Sequence, residues 1–103
     1  MPGLTAVFAM SDVMAVGAIR AIRDHNLRVP EDISVIGFDG IDLGEFLTPR
    51  LATIRQHRER IADRSVEILL AQIEQPGPAI HELVPFDLVE GESVLSIHSP
   101  EGA

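Results

Sequence analysis

The stretch from Thr5 to Asp39, TAVFAMSDVMAVGAIRAIRDHNLRVPEDISVIGFD, reads as strand, helix, strand. Thr5-Ala-Val-Phe-Ala9 is apolar without strict alternation, the pattern of a strand covered on both faces. The chain leaves it through Met10-Ser11-Asp12. Ser11 is a good helix N-cap, and Asp12 suits the positive end of a helix dipole. A helix of about four turns follows, with Arg20, Arg23 and His25 crowding its far end, where positive charge is favoured. Ile33-Ser-Val-Ile-Gly-Phe38 is the second strand and ends at Asp39. Two strands joined by a helix of this length form a crossover unit, which predicts parallel strands and a right-handed connection. In open α/β sheets ligands sit just beyond the carboxyl ends of the strands. Ser11-Asp12 and Asp39 both fall at such ends.

The helix is apolar nearly all round: Val13, Met14, Ala15, Val16, Ala18, Ile19, Ala21 and Ile22. One face can lie on the sheet, and the rest is too apolar for open solvent. A second subunit is the expected cover. Beyond the unit, Leu27 to Asp32 is a connector, Asp39-Gly40 a tight turn, and Ile41 to Leu47 a short helical turn closed by Thr48-Pro49. Leu51 to Arg55 is a third short strand. His57 to Glu74 is a second helix carrying Ile61, Ala62, Val66, Leu69, Leu70 and Ile73 on one broad face, ended by Gln75-Pro-Gly-Pro78. Ile80 to Val89 is extended but interrupted by Pro85, and His98 to Ala103 is a frayed tail.

At 103 residues the chain is one domain or part of one, and 46% hydrophobic residues allow a compact core. No run of about 18 apolar residues or N-terminal signal is present. Zero cysteines exclude disulfides and thiolate metal sites and agree with a reducing cytoplasm. A net charge of −8 argues against a nucleic-acid surface. All eight basic residues are Arg, and Tyr and Trp are absent, so stacking platforms are scarce.

Ser11 and Asp12 can hydrogen-bond a polyhydroxylated ligand, since a carboxylate accepts two hydroxyls and a serine donates or accepts. Plain helix capping is the commoner explanation, since Ser and Asp are frequent at helix starts. Asp39 is a second candidate ligand carboxylate, against an Asx turn before Gly40. Asp39, Asp42 and Glu45 lack the ligand spacing of a calcium loop and read as a solvated acidic turn. His25, His57, His81 and His98 are isolated, and no metal, cofactor or catalytic site is expected. No nucleophile elbow, phosphate-binding loop or dinucleotide motif occurs. Five of the eight arginines lie between Arg50 and Arg64. Arg55 with Glu59 and Arg60 with Asp63 predict ordinary helix pairing rather than an anion patch.

These residues together resemble the LacI/GalR family of bacterial transcription regulators, over about Thr5 to Val94. The resemblance rests on Thr5-Ala6 before an apolar strand, Ser11-Asp12, the helix residues Met14, Ala15 and Gly17, then Val29-Pro30, Asp32, Ser34-Val35 and Gly37-Phe38-Asp39, and finally Leu51, Thr53-Ile54 and Gln56. Two positions depart from the family pattern: Ala52, where Thr is usual, and Gly40, where an acid or Asn is frequent.

The resemblance implies an α/β fold, a parallel three-layer, Rossmann-like, periplasmic-binding-protein-like lobe, here incomplete. Residues 1–55 are then part of the C-terminal lobe of an effector-binding domain. Residues 56–85, with the helix 57–74, normally belong to the N-terminal lobe, 86–97 return to the C-terminal lobe, and 98–103 are tail. Ser11, Asp12, Asp39 and Gln56 are implied contacts for a small-molecule effector, often a sugar. Val16, Phe46 and Leu47 are implied at a homodimer surface. DNA binding is implied only through a helix-turn-helix and hinge that nothing here matches, and no membrane partner is implied. The alternatives are a sugar-binding transport receptor of the same fold and an α/β enzyme using Asp12 and Asp39 as an acid/base pair. The apolar face of the second helix is expected either to self-associate or to fold back onto the chain's own sheet.

Overall fold

The structure is a computed structural model that describes residues 3–97. The expected tail from His98 onward lies outside the described residues. In chain order the elements are β1 (Ala6–Phe8), α1 (Asp12–Asp24), β2 (Ser34–Asp39), a 3-10 turn (Asp42–Phe46), β3 (Ala52–Gln56), α2 (Arg58–Glu74) and β4 (Phe86–Val89). The chain forms two compact units. One runs to Arg55 and resumes at Leu88; the other is Gln56–Asp87.

In the first unit the crossover forms as expected. β1 pairs parallel to β2, with Val7 opposite Val35, and β2 pairs parallel to β3, with Asp39 opposite Arg55. The sheet order is β1-β2-β3-β4. Ser11 caps α1, its Oγ accepting from Met14 N at 3.2 Å. At the other end His25 Nδ1 bonds Ala21 O at 2.8 Å and Asn26 takes a positive φ of 62°, a conformation that Asn tolerates better than most residues.

The core lies between α1 and the sheet. Ala15 and Ile19 come down onto Ala9, Val29, Val35 and Leu51, with Val7, Ile22 and Leu47 packed at the margin. Helical spacing accounts for the pair on one face, and strand alternation turns Val7 and Val35 to the same side. The expectation that β1 is covered on both faces is not met. Ala6 is exposed and Phe8 is 57% exposed, because β1 is an edge strand and alternation turns Phe8 away from the core, where its ring stands 6.5 Å from that of Phe38. α1 likewise keeps an open side, with Val13 and Met14 exposed.

Residues 91–95 close the amino end of the parallel strands. Ser93 is fully buried; its Oγ donates to Val35 O at 2.6 Å and accepts from Ala52 N at 2.9 Å. Val35 N in turn donates to Ser93 O at 2.8 Å. One serine thus fills the hydrogen-bonding gap left where β3 starts opposite Ile36, two residues into β2. Glu92 adds a second tie, accepting from Arg50 N at 3.1 Å and Arg50 Nε at 3.3 Å. The Arg50 amide, then its guanidinium, holds the Glu92 carboxyl below its ordinary pKa.

In the second unit, α2 starts after His57 without a side-chain cap, and Gln75 ends it before the Pro-Gly-Pro run. His57 Nε2 lies 3.1 Å from Asp87 Oδ2. Arg64 donates to Glu82 at 2.7 and 3.1 Å and to Glu67 at 2.7 Å, which raises its own pKa and lowers that of Glu82. The arginine pairing therefore differs from the expected one. Arg55 sits in β3, ahead of the helix, so it has no helical neighbour at Glu59 and meets Glu45 at 3.9 Å instead. The extended run expected over Ile80 to Val89 contracts to β4, after Pro85, which lacks a ladder donor. No residue of α2 is buried. On its apolar face Val66, Leu69, Leu70 and Ile73 are 56–67% exposed.

Candidate functional site

Parallel pairing brings the carboxyl ends of β1, β2 and β3 to one edge of the sheet. Ser11 and Asp12 follow β1, Asp39 to Ile41 close β2, and Arg55 is opposite Asp39 in β3. Three of the four candidate effector contacts, Ser11, Asp12 and Asp39, thus share one edge of the sheet.

Asp12 has a different role from the one expected of it. Its side chain is 1% exposed. Oδ1 accepts from Thr53 Oγ1 at 2.6 Å and Oδ2 accepts from Ile41 N at 2.8 Å. The seat exists because Gly37 beneath it has no side chain; a Cβ there would collide with Asp12 Oδ1 and crowd Leu51. Both oxygens serve the protein, so Asp12 is a strut between α1, β3 and the turn after β2. The acid/base pairing of Asp12 with Asp39 fails for the same reason, since a buried carboxylate with both oxygens engaged presents no face to a substrate.

Ser11 is half-buried and accepts only through one lone pair in its cap bond, which leaves a hydroxyl able to donate and accept again. Asp39 is half-buried and its backbone sits at φ 111°, followed by Gly40 at φ 74°. A non-glycine residue held there is strained, and such residues concentrate at ligand clamps and active sites. Gly40 also explains the departure from the family pattern. Any Cβ at that position would stand 2.7 Å from the Arg55 Cβ, so only glycine lets the turn lie against β3.

Gln56 ends β3 and falls in the second unit. There it borders an open depression of about 670 Å³ with His57, Arg58, Arg60, Arg64 and Glu67. The candidate dimer residues Val16 and Leu47 meet across a groove of about 180 Å³ that Arg23 spans by donating from its guanidinium to Thr48 O. Phe46 next to them is 80% exposed. Among the described residues no group of three or more acidic or histidine side chains is placed to hold a metal ion, and no helix is long and apolar enough to cross a membrane.

Sequence reasoning missed two residues that organise this edge and its opposite. Thr53 counted only as a pattern match, although a threonine two positions into a short strand is a candidate to bond a neighbouring cap. Ser93 had no local signal at all, because its partners are 58 and 41 residues away.

Residues 1–94 match the model of the periplasmic binding protein-like domain. Among curated proteins, the HTH-type transcriptional regulator MalR of Clostridium butyricum is 43% identical over 91% of this chain, and the HTH-type transcriptional repressor PurR of Pasteurella multocida is 47% identical over 89%. This chain spans 28% of the length of each. Among solved structures, the lac repressor dimer bound to operator and the anti-inducer ONPF aligns with TM-score 0.82 at 36% identity, covering 89% of this chain and 32% of that one. A LacI family regulator from Enterococcus faecium with bound ribose aligns with TM-score 0.74 at 33% identity, covering 89% and 35%. The chain belongs to the periplasmic binding protein-like domain family, in the form carried by the effector-binding domains of LacI-type transcriptional regulators.

Proposed function

We propose that this chain senses a small, neutral, sugar-like effector as part of the ligand-binding and dimerisation domain of a LacI-type regulator. The observation that carries the reading is the Asp39-Gly40 turn. It holds a carboxylate in a strained backbone conformation at the carboxyl edge of three parallel strands, where this architecture binds ligands. Asp39 accepts hydroxyls, and Ser11 donates and accepts at the same sheet edge. Asp12 supports the site without touching the effector. Val16, Phe46 and Leu47 form the surface that meets a second copy. Effector binding shifts the balance between two arrangements of a two-lobed cleft and so changes operator affinity, which resides in a helix-turn-helix head outside this stretch. Such a regulator works in the cytoplasm, where operator DNA is.

The experiment is a calorimetric titration of the regulator that carries this domain with ribose, cellobiose and a panel of other neutral saccharides. At least one binds, and Asp39→Asn weakens it by about 10- to 100-fold, the factor for losing a charge-assisted hydrogen bond. Equal affinity of wild type and Asp39→Asn for every saccharide that binds refutes the reading.

A further inference from the structure

We infer that Asp12 is a positioning residue, which sets the backbone of Asp39 through the Ile41 amide and so aims the Asp39 carboxylate. This rests on the reading of Asp39 as an effector contact. The turn Asp39-Gly40 is caught between two elements. On one side Gly40 lies against Arg55 of β3, too close for any side chain. On the other side the Ile41 amide is held by Asp12 Oδ2 at 2.8 Å, from the first turn of α1. Asp12 cannot drift, because Thr53 Oγ1 holds its other oxygen at 2.6 Å and the carboxylate is buried over Gly37. The positive φ of Asp39 is therefore fixed from both ends: by β2 pairing before it and by a charge-assisted bond two residues after it. Without that bond nothing in the turn's own sequence favours φ 111° at an aspartate over ordinary extended backbone.

The substitutions that isolate the link are Asp12→Leu and Ile41→Pro. Leucine fills the seat with the same shape and no acceptor. Ile41 already has φ −70°, which proline adopts, and the preceding Gly40 tolerates a following proline; the ring Cδ replaces the amide hydrogen and displaces Asp12 Oδ2, so Ile41→Pro breaks the link from the turn's side. Asp12→Asn is the rescue variant, its amide oxygen facing Ile41 and its NH₂ facing the Thr53 hydroxyl. Ile41→Ala keeps the donor and controls for the lost side chain.

The readout is nuclear magnetic resonance on the 103-residue chain. The three-bond HN–Hα coupling of Asp39 is small at φ 111° and large in extended backbone. It rises in Asp12→Leu and in Ile41→Pro, and stays at the wild-type value in Asp12→Asn and Ile41→Ala. The Ile41 amide exchanges with solvent about 10-fold faster or more in Asp12→Leu than in Asp12→Asn. If Asp12→Leu does not fold, Ile41→Pro decides alone. An unchanged Asp39 coupling in the folded variants overturns the inference. Titration with ribose and cellobiose separates it from the effector reading. Where Asp39→Asn leaves saccharide affinity untouched, the effector reading fails while the coupling still answers for Asp12. Where Asp39→Asn weakens binding, Asp12→Leu or Ile41→Pro adds less than about 2-fold on top of it, since both act through the same carboxylate.

Discussion

Thr53 Oγ1 donates to Asp12 Oδ1 across 2.6 Å, and the two residues are 3% and 1% exposed. This bond fastens the first turn of the crossover helix to the third strand, 41 residues later. It makes the helix start, the strand end and the intervening turn one rigid piece.

Removing the hydroxyl leaves half of a buried carboxylate without a donor. Thr53→Val therefore costs about 1–3 kcal/mol of unfolding free energy, more than Thr53→Ser, which keeps the hydroxyl and loses one methyl. Urea unfolding at pH 7 measures both. A valine variant as stable as the serine variant would show that the bond contributes little.

Ser93 gives a second case. Ser93→Ala strands the Ala52 amide and weakens the tie to the Val35 carbonyl in a site with no solvent access, at a cost of about 1–3 kcal/mol. Gly91→Ala is worse, because its Cβ would lie 2.5–2.6 Å from backbone atoms of Arg50, Leu51 and Ala52. The expected ranking in thermal unfolding is wild type, then Ser93→Ala, then Gly91→Ala.

The neighbouring Glu92 carries a pH dependence. Its carboxyl pKa is lowered in the fold, first by the Arg50 amide and then by the Arg50 guanidinium. Folding thus favours the ionised form. The contribution is fully present above the unfolded-state pKa and is lost as pH falls through the lower folded value. Asp32 beside Arg28 and Glu82 beside Arg64 act in the same direction. All three are exposed ion pairs, so the effects are small and screened by salt. Wild type is expected to lead Glu92→Gln in urea midpoint at pH 7 and to lose that lead near pH 3. A lead that persists in acid would point to a contact other than the ionised carboxylate.

The open face of α2 predicts association. Burying side chains such as Val66, Leu69, Leu70 and Ile73 is worth roughly 1.5–3 kcal/mol each, and a patch of this kind marks an interaction site. Light scattering on the chain is expected to give a mass above that of the monomer, and Leu69→Glu combined with Ile73→Glu is expected to lower it. A strictly monomeric wild type at millimolar concentration would remove this expectation.

The sequence by itself determined the elements whose signals are local. Ser11 capping α1, the apolar spacing of Ala15 and Ile19, the connector around Pro30 and the Pro-Gly-Pro stop after α2 are all short-range chemistry, and each element formed within a few residues of its expected bounds. The parallel crossover followed from strand, helix and strand lengths alone. Only the tertiary structure decided what the acidic strand ends do. Asp12 and Asp39 look alike in sequence, each an aspartate at the end of a strand. One is buried because Gly37, Thr53 and the Ile41 amide converge on it from distant positions; the other is half-buried on a strained backbone, followed by Gly40 lodged against Arg55. The role of Ser93 was out of reach for the same reason. Hydrogen bonds across 41 and 58 residues leave no periodicity, and only folding brings their donors and acceptors within 3 Å.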